Sequence, residues 1–317
     1  MRKCMLSSSK LIYETETRQQ HILAVVHIFY PELWPELKRC LLNISGCFDL
    51  YITLVKKNKK MFSDILEVFP DAKIEVIDNK GYDIGPFLYV INKIEINKYD
   101  FIVKLHTKRN VPDSFTLKGE WAGGALFRKM ALEFCSSSER WKSSLAKMND
   151  ISAGMVGSPL CIIDKRFDYT SDYTLVYRIM EKIGLNWNGT GEYVVGTMFV
   201  VRASLLEPLR GKFTLEDFEV PDRRKGDGLP HAIERVLGYM VQAQGANVVA
   251  WDGTNTARQT LLWKLRSLFF EIKYTRRRRI IRVFRIPVFW LPLPKREPSR
   301  YHCPSPTEIP QNPSGTS

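Results

Sequence analysis

The chain has 317 residues, 44% hydrophobic, 12% aromatic and 26% charged, with a formal net charge of +13. This balance excludes a disordered or collagen-like chain and leaves enough apolar surface for a sizeable core, in one large α/β domain with appendages or two small domains. The charge is uneven: between Lys264 and Arg296 eleven Lys/Arg face one acid, Glu271, so this stretch carries most of the excess.

The first twenty residues, MRKCMLSSSKLIYETETRQQ, are polar and lack the apolar core of a signal peptide. HILAVVHIFY (21–30) is apolar and β-rich and reads as a buried strand, punctuated by Pro31. PELWPELKRCLLNI has apolar residues at helical spacing, and FDLYITLV (48–55) reads as a second strand. KKMFSDILEVFP is a short helix and AKIEVIDN (72–79) a third strand. DIGPFLYVINKI is a helix and YDFIVKLHTK (99–108) a fourth strand. Such alternation predicts a parallel sheet with right-handed crossovers.

Beyond residue 110 the pattern loosens. GEWAGGALFRKMALEFC and SERWKSSLAKM read as helices, AGMVGSPL as a strand, and GEYVVGTMFVVRASLLEPL as a strand running into a helix. PHAIERVLGYMVQAQG (230–245) is a helix, followed by the strand ANVVAW. The expected organisation is an extension over 1–20, a folded domain over 21–260, a basic amphipathic segment over 261–296 and a Pro/Ser-rich disordered tail over 297–317. No uninterrupted apolar run reaches about 18 residues, so no spanning helix is expected. The six cysteines form no CxxC pair and no Cys/His cluster at zinc spacing, which fits a reduced, cytoplasmic chain.

In an open parallel sheet, ligands bind beyond the carboxyl ends of the strands. Two stretches fall there. Asn79, Gly81, Asp83 and Gly85 follow the third strand and lead into a helix whose N-terminus suits anions. Asp83 has two equal readings, a ligand contact or a cap for the helix that starts near Pro86. The fourth strand ends in His106, Thr107, Lys108 and Arg109, placing cationic donors where a phosphate would sit. A solvated charge run explains Lys108 and Arg109 equally well, but explains His106 less well, because His106 still belongs to the strand.

These stretches, NKGYDIGPFL, YDFIVKLHTKR, GTMFVVRASLLEPL and DGLPHAIERVLG, together resemble the rhamnan synthesis protein F family of bacterial surface-polysaccharide proteins. HIFYPELWPEL and FDLYITLV resemble its first strands, and the resemblance covers roughly residues 21 to 252. It implies a GT-A-like α/β glycosyltransferase domain, a nucleotide-sugar donor, dTDP-rhamnose among the candidates, and a lipid-linked glycan acceptor. GT-A enzymes usually carry a metal-binding DxD where this chain has His106-Thr107-Lys108. The expectation is therefore metal-independent transfer, with Lys108, Arg109 and His106 stabilising the departing diphosphate.

On the acceptor side the resemblance implies Arg202, at the end of GTMFVVR, with an ordinary strand bearing an exposed Arg as the alternative. In DGLPHAIER, His231 and Glu234 are spaced i, i+3 and His231 and Arg235 i, i+4 on one helix. An inverting transferase needs a base for the acceptor hydroxyl, and Asp227 and His231 are the candidates, with Glu234 and Arg235 orienting them. The alternative is a solvent-facing salt bridge beside a loop Asp. Glu216, Asp217 and Glu219 read as an acidic surface loop, and His21 and His27 as packed or surface residues.

The segment TLLWKLRSLFFEIKYTRRRRIIRVFRIPVFWLPLP interleaves bulky apolar residues with Lys and Arg. It predicts attachment to an anionic membrane surface, the inner face of the cell membrane, rather than to a specific nucleic acid. The rival to an enzyme is a transferase-like scaffold that binds glycan or polysaccharide-assembly enzymes without turnover.

Overall fold

The computed structural model describes residues 20–109, 115–117, 120–168, 173–220, 228–274, 278–283 and 286–292. The chain divides into two compact units, Met1–Leu262 and Trp263–Ser317.

The first unit begins with the α/β alternation that the sequence predicts. β1 (Ile22–Ile28) is buried along its whole length, as a strand covered on both faces must be. α1 (Trp34–Leu42) buries Trp34, Leu37, Cys40 and Leu41, one stripe at helical spacing. β2 (Phe48–Leu54) is followed by α2 (Lys59–Leu66), whose N-cap Asn58 accepts the Met61 N–H at 3.1 Å. β3 (Lys73–Val76), α3 (Ile84–Lys93) and β4 (Phe101–His106) complete the repeat.

A short hairpin, β5 (Phe115–Leu117) with β6 (Glu120–Ala122), precedes α4 (Gly124–Ala131). The helix expected from Gly119 onward therefore starts late, since Gly123 and Gly124 disfavour helix in its first turns. α5 (Ser138–Met148), β7 (Ala153–Gly157), β8 (Ile162–Asp164), α6 (Thr174–Lys182), β9 (Glu192–Val194) and β10 (Phe199–Arg202) follow. After β10 the expected helix is a 3-10 turn, Ala203–Leu209, with Pro208 inside it where no α-helical hydrogen bond can form. α7 (Leu229–Ala243) and β11 (Asn247–Ala250) close the sheet.

The seven-stranded sheet has the order β11-β7-β10-β4-β1-β2-β3. β10 runs antiparallel to both its neighbours, and the remaining pairs are parallel. β1, β2 and β3 step outward one way, and β4 then returns to the other side of β1. The order thus reverses between β1 and β4, and the crevice at their carboxyl ends is where such a sheet binds ligands.

α8 (Thr256–Phe269) leaves the first unit and continues into the second. There β12 (Phe270–Tyr274), β13 (Arg278–Val283) and β14 (Ile286–Pro292) form an antiparallel sheet. α8 thus ends at a strand, consistent with the β-branched and aromatic residues Ile272, Tyr274, Ile280, Ile281 and Val283. The extension over 1–19, the end of the amphipathic segment and the tail lie outside the described residues.

Candidate functional site

The crevice between β1 and β4 is lined by buried polar groups. His27 and His106 are register partners at the strand tips and are 5% and 4% exposed. His27 Nδ1 lies 3.0 Å from the Thr53 hydroxyl of β2. Thr107 stitches the two tips together: its N–H donates to the His27 carbonyl at 3.0 Å, and its hydroxyl accepts the Phe29 and Tyr30 N–H groups at 2.9 and 3.0 Å. Burial pushes His27 down to about 4 and His106 to about 3, against the pull of the Asp83 charge. Both imidazoles are neutral at pH 7. The expectation that His106 supplies positive charge is corrected: it lies at the site, but as a neutral, buried ring.

The charge at the centre belongs to Lys104, which points inward from the middle of β4 and is 1% exposed. Its ammonium donates to Asp83 Oδ2 at 2.5 Å, to Thr197 Oγ1 at 2.6 Å and to the Thr197 carbonyl at 3.2 Å. Three donors meet three acceptors, which is what makes a buried lysine tolerable. Burial lowers the Lys104 pKa, and the Asp83 carboxylate opposes that shift. Asp83 sits at the N-cap position of α3 but makes no capping hydrogen bond. Its carboxylate instead accepts from Lys104 and from the Thr197 hydroxyl, and lies 3.6 Å from His106 Nδ1. Burial works against its ionisation, but the Lys104 ammonium and the Thr197 hydroxyl outweigh this and hold it well below the usual carboxylate range.

Two non-glycine residues here have left-handed backbones, Tyr82 at φ 55° and Thr197 at φ 51°. Beside them, Gly81 and Gly196 have φ values of 70° and 77°, and a Cβ on Gly196 would lie 2.3 Å from the Phe127 ring. Gly85 is needed for a different approach than a ligand's, because a Cβ there would meet the Lys80 carbonyl at 2.3 Å. Asn79 is half-buried at the head of the same loop.

α7 supplies the facing wall. Glu234 Oε1 accepts the Gly196 N–H at 2.5 Å, so the carboxylate is tied to the residue beside Thr197. Burial raises its pKa, and Lys108, the Gly196 N–H and Arg235 only partly offset this. Lys108 lies 4.2 Å over the Phe127 ring, and its carbonyl is fixed by Arg128 Nη1 at 2.8 Å. Arg128 in turn makes a two-pronged pair with Glu36 at 2.8 and 2.9 Å, anchoring the end of β4 to α1 and α4. His231 meets the Tyr82 ring edge-on at 5.6 Å, and its Nδ1 has no partner among the described residues. Arg235 donates to the His231 carbonyl at 2.8 Å and to Asp168 Oδ2 at 2.9 Å. Asp168 also accepts the hydroxyls of Tyr173 and Tyr193 at 3.0 and 2.8 Å.

The central carboxylate is already engaged by an ammonium, and no group of three or more His, Cys, Asp or Glu gathers as a metal site among the described residues.

The chain matches the family described as Rhamnan synthesis protein F over residues 2–246. The chain belongs to the rhamnan synthesis protein F family. Curated relatives include the uncharacterized protein WxcX of Xanthomonas campestris pv. campestris, 23% identical over 245 residues in strain ATCC 33913 and 22% in strain B100. The match covers 76% of this chain but 34% of WxcX, so the chain spans about a third of the length of the curated relatives it matches. Among solved structures it is similar to S. aureus TarS 1–349 (TM-score 0.38, 11% identity, 78% of this chain and 65% of that one). The same TarS fragment in complex with UDP gives a TM-score of 0.39 at 10% identity, covering 77% and 65%.

In this member of the rhamnan synthesis protein F family, Asp83, His106, Thr107, Lys108, Glu234, Arg235 and His231 converge on one end of the sheet. Arg202 does not. It pairs with Phe101, the first residue of β4, at the opposite end, and its guanidinium is spent on the carbonyls of Met148, Asp150 and Ala153 at 2.5 to 2.9 Å. The acceptor-side role expected of Arg202 is therefore corrected: β10 runs antiparallel, so the end of that strand is the wrong end of the sheet. Asp227 lies outside the described residues. Lys104, Thr197 and Asp168 are the polar residues of the site that sequence reasoning missed. A lysine in the middle of an otherwise apolar strand, FIVKLH, was the available signal for the first.

Proposed function

We propose that this protein is a glycosyltransferase that moves a sugar, rhamnose by the family's name, from a nucleotide-sugar donor onto a growing cell-surface polysaccharide. One observation supports the reading most: in a chain of the rhamnan synthesis protein F family, a polar cluster, Asp83–Lys104–Thr197 with His106 and Glu234, lies near the point where the strand order reverses. The donor diphosphate lies over Thr107 and Lys108, near Asn79 and Gly81. Lys108 and Arg109 stabilise the charge that develops on the leaving nucleoside diphosphate, the task a metal performs elsewhere. Lys104 holds Asp83 and Thr197 in place rather than meeting the donor, since its donors are already used.

Glu234 is the favoured base for the acceptor hydroxyl, because its raised pKa brings it nearer the working pH. His231 and Arg235 orient the acceptor, and Asp227, in the stretch leading into α7, is the second candidate base. The acceptor is a lipid-linked glycan at the inner face of the membrane.

The test is release of nucleoside diphosphate from a panel of nucleotide-sugars that includes dTDP-rhamnose, with and without EDTA. Turnover that survives EDTA and falls in Lys108→Ala is expected. Activity abolished by EDTA and restored by Mg²⁺ or Mn²⁺ would sink the metal-free mechanism. Saturable glycan binding with no turnover on any donor would sink the enzyme and leave the scaffold.

A further inference from the structure

Large apolar side chains left in solvent are unevenly distributed in this molecule. Of the fifteen that stand exposed among the described residues, six fall between Leu261 and Val288. Four of these share α8: Leu261, Leu262, Leu265 and Phe269, exposed by 46 to 58%. Leu262, Leu265 and Phe269 are spaced i, i+3, i+7, which puts them on one stripe of the helix. The other helices of comparable length turn such a stripe inward. α3 buries Ile84, Phe87, Leu88 and Ile91, and α7 buries Ile233, Val236, Leu237 and Met240. The same C-terminal stretch exposes Ile286 by 64% and Val288 by 49% on β14.

We propose that the apolar stripe of α8, helped by Ile286 and Val288, seats this protein on a bilayer rich in anionic lipid. The occupant follows from charge. Eleven Lys/Arg and a single acid lie between Lys264 and Arg296, so the stretch that presents the apolar residues is also the strongly cationic one. Leucine and phenylalanine enter the boundary between headgroups and acyl chains, and Lys and Arg meet lipid phosphates, each adding to attraction to an anionic leaflet. RNA would use the same cations but gains nothing from exposed Leu262, Leu265 and Phe269. No helix among the described residues is long and apolar enough to cross a membrane, so the contact lies on the surface. The inference rests on the proposed function only for its purpose, keeping the protein at the membrane that holds a lipid-anchored acceptor. Binding itself requires no catalysis.

The experiment is sedimentation of the full chain with phosphatidylcholine vesicles, with and without phosphatidylglycerol, and a parallel retention assay on RNA. Binding several-fold stronger to the anionic vesicles and weakened by high salt is expected. Leu262→Asp with Phe269→Asp lowers it at least fivefold with an unchanged melting temperature, while Leu265→Trp, which keeps an apolar surface suited to the interface, strengthens it. Three results overturn the proposal: equal binding by wild type and the double Asp variant, no vesicle binding at all, or retention on RNA without retention on vesicles. Each leaves nucleoside diphosphate release untouched, so a failed docking surface and a failed transferase are separately visible.

Discussion

Two half-buried carboxylates belong to the site, one at the head of α3 and one on α7, and their surroundings push them in opposite directions. On the α3 side, Asp83 has an ammonium at 2.5 Å and a hydroxyl on the same oxygen, and stays ionised far below the usual range. On the α7 side, Glu234 has one peptide N–H on Oε1, and burial raises its pKa. A carboxylate that is saturated with donors is a structural anion, while one that burial has made reluctant to ionise is suited to take a proton. Titratable groups driven apart in this way mark separate roles in a single site.

The sharpest way to break the comparison is to remove the saturated partner. Asp83→Ala leaves the Lys104 ammonium buried and without its counter-ion, which costs about 3–5 kcal/mol. Adding Lys104→Met to that variant restores most of the loss, because the unpaired charge is gone. Chemical denaturation of the two single variants and the double one completes a thermodynamic cycle. A cost below about 1 kcal/mol for Asp83→Ala would mean that the pair is not the keystone described.

The opposite outcome is expected at Glu234. Glu234→Gln keeps an oxygen for the Gly196 N–H but cannot accept a proton, so turnover falls about a hundredfold or more. Stability moves the other way. An acid whose folded pKa is raised binds its proton more tightly in the native state than in the unfolded chain. Its ionised form therefore costs stability at neutral pH, and that cost disappears as pH falls through the folded value. Gln removes the cost, so the variant is at least as stable as wild type at pH 7, and the difference closes toward acid. Denaturation across pH beside an initial-rate assay separates the two effects. A variant that loses stability at pH 7 while keeping its rate would reverse the assignment.

The parallel half of the fold was legible because each strand is a short apolar run and each helix carries one apolar stripe. β1 and α3 are the clearest cases. The site was legible where its residues cluster in sequence, as in His106-Thr107-Lys108 and in the turn from His231 to Arg235. It was illegible where long-range pairing decides. Thr197 enters the site because β10 runs antiparallel against β4, bringing a residue ninety-three positions from Lys104 within 2.6 Å of it. The same reversal sends Arg202 to the far end. Nothing in GTMFVVR announces the direction of its strand. Asp168 was hidden for a similar reason, since its partners Arg235, Tyr173 and Tyr193 come from three separate elements.

The smallest expected effect tests whether the α3 side stores strain for the α7 side. Tyr82 holds φ 55°, a conformation that a bulky side chain adopts only under constraint, and the residue is 38% exposed. Among the described residues its ring meets the His231 ring edge-on. A residue kept in a strained backbone for the sake of its own burial would not be left partly in solvent, so the contact with His231, rather than core packing, accounts for the choice of Tyr. Tyr82→Gly relieves the dihedral and raises stability by about 1 kcal/mol, less whatever the ring contact contributes. The same change frees the His231 ring and weakens acceptor use, so KM for the acceptor rises more than kcat falls. If Tyr82→Gly is destabilising and leaves KM alone, the left-handed turn is packing, and α3 and α7 do not work as one site through it.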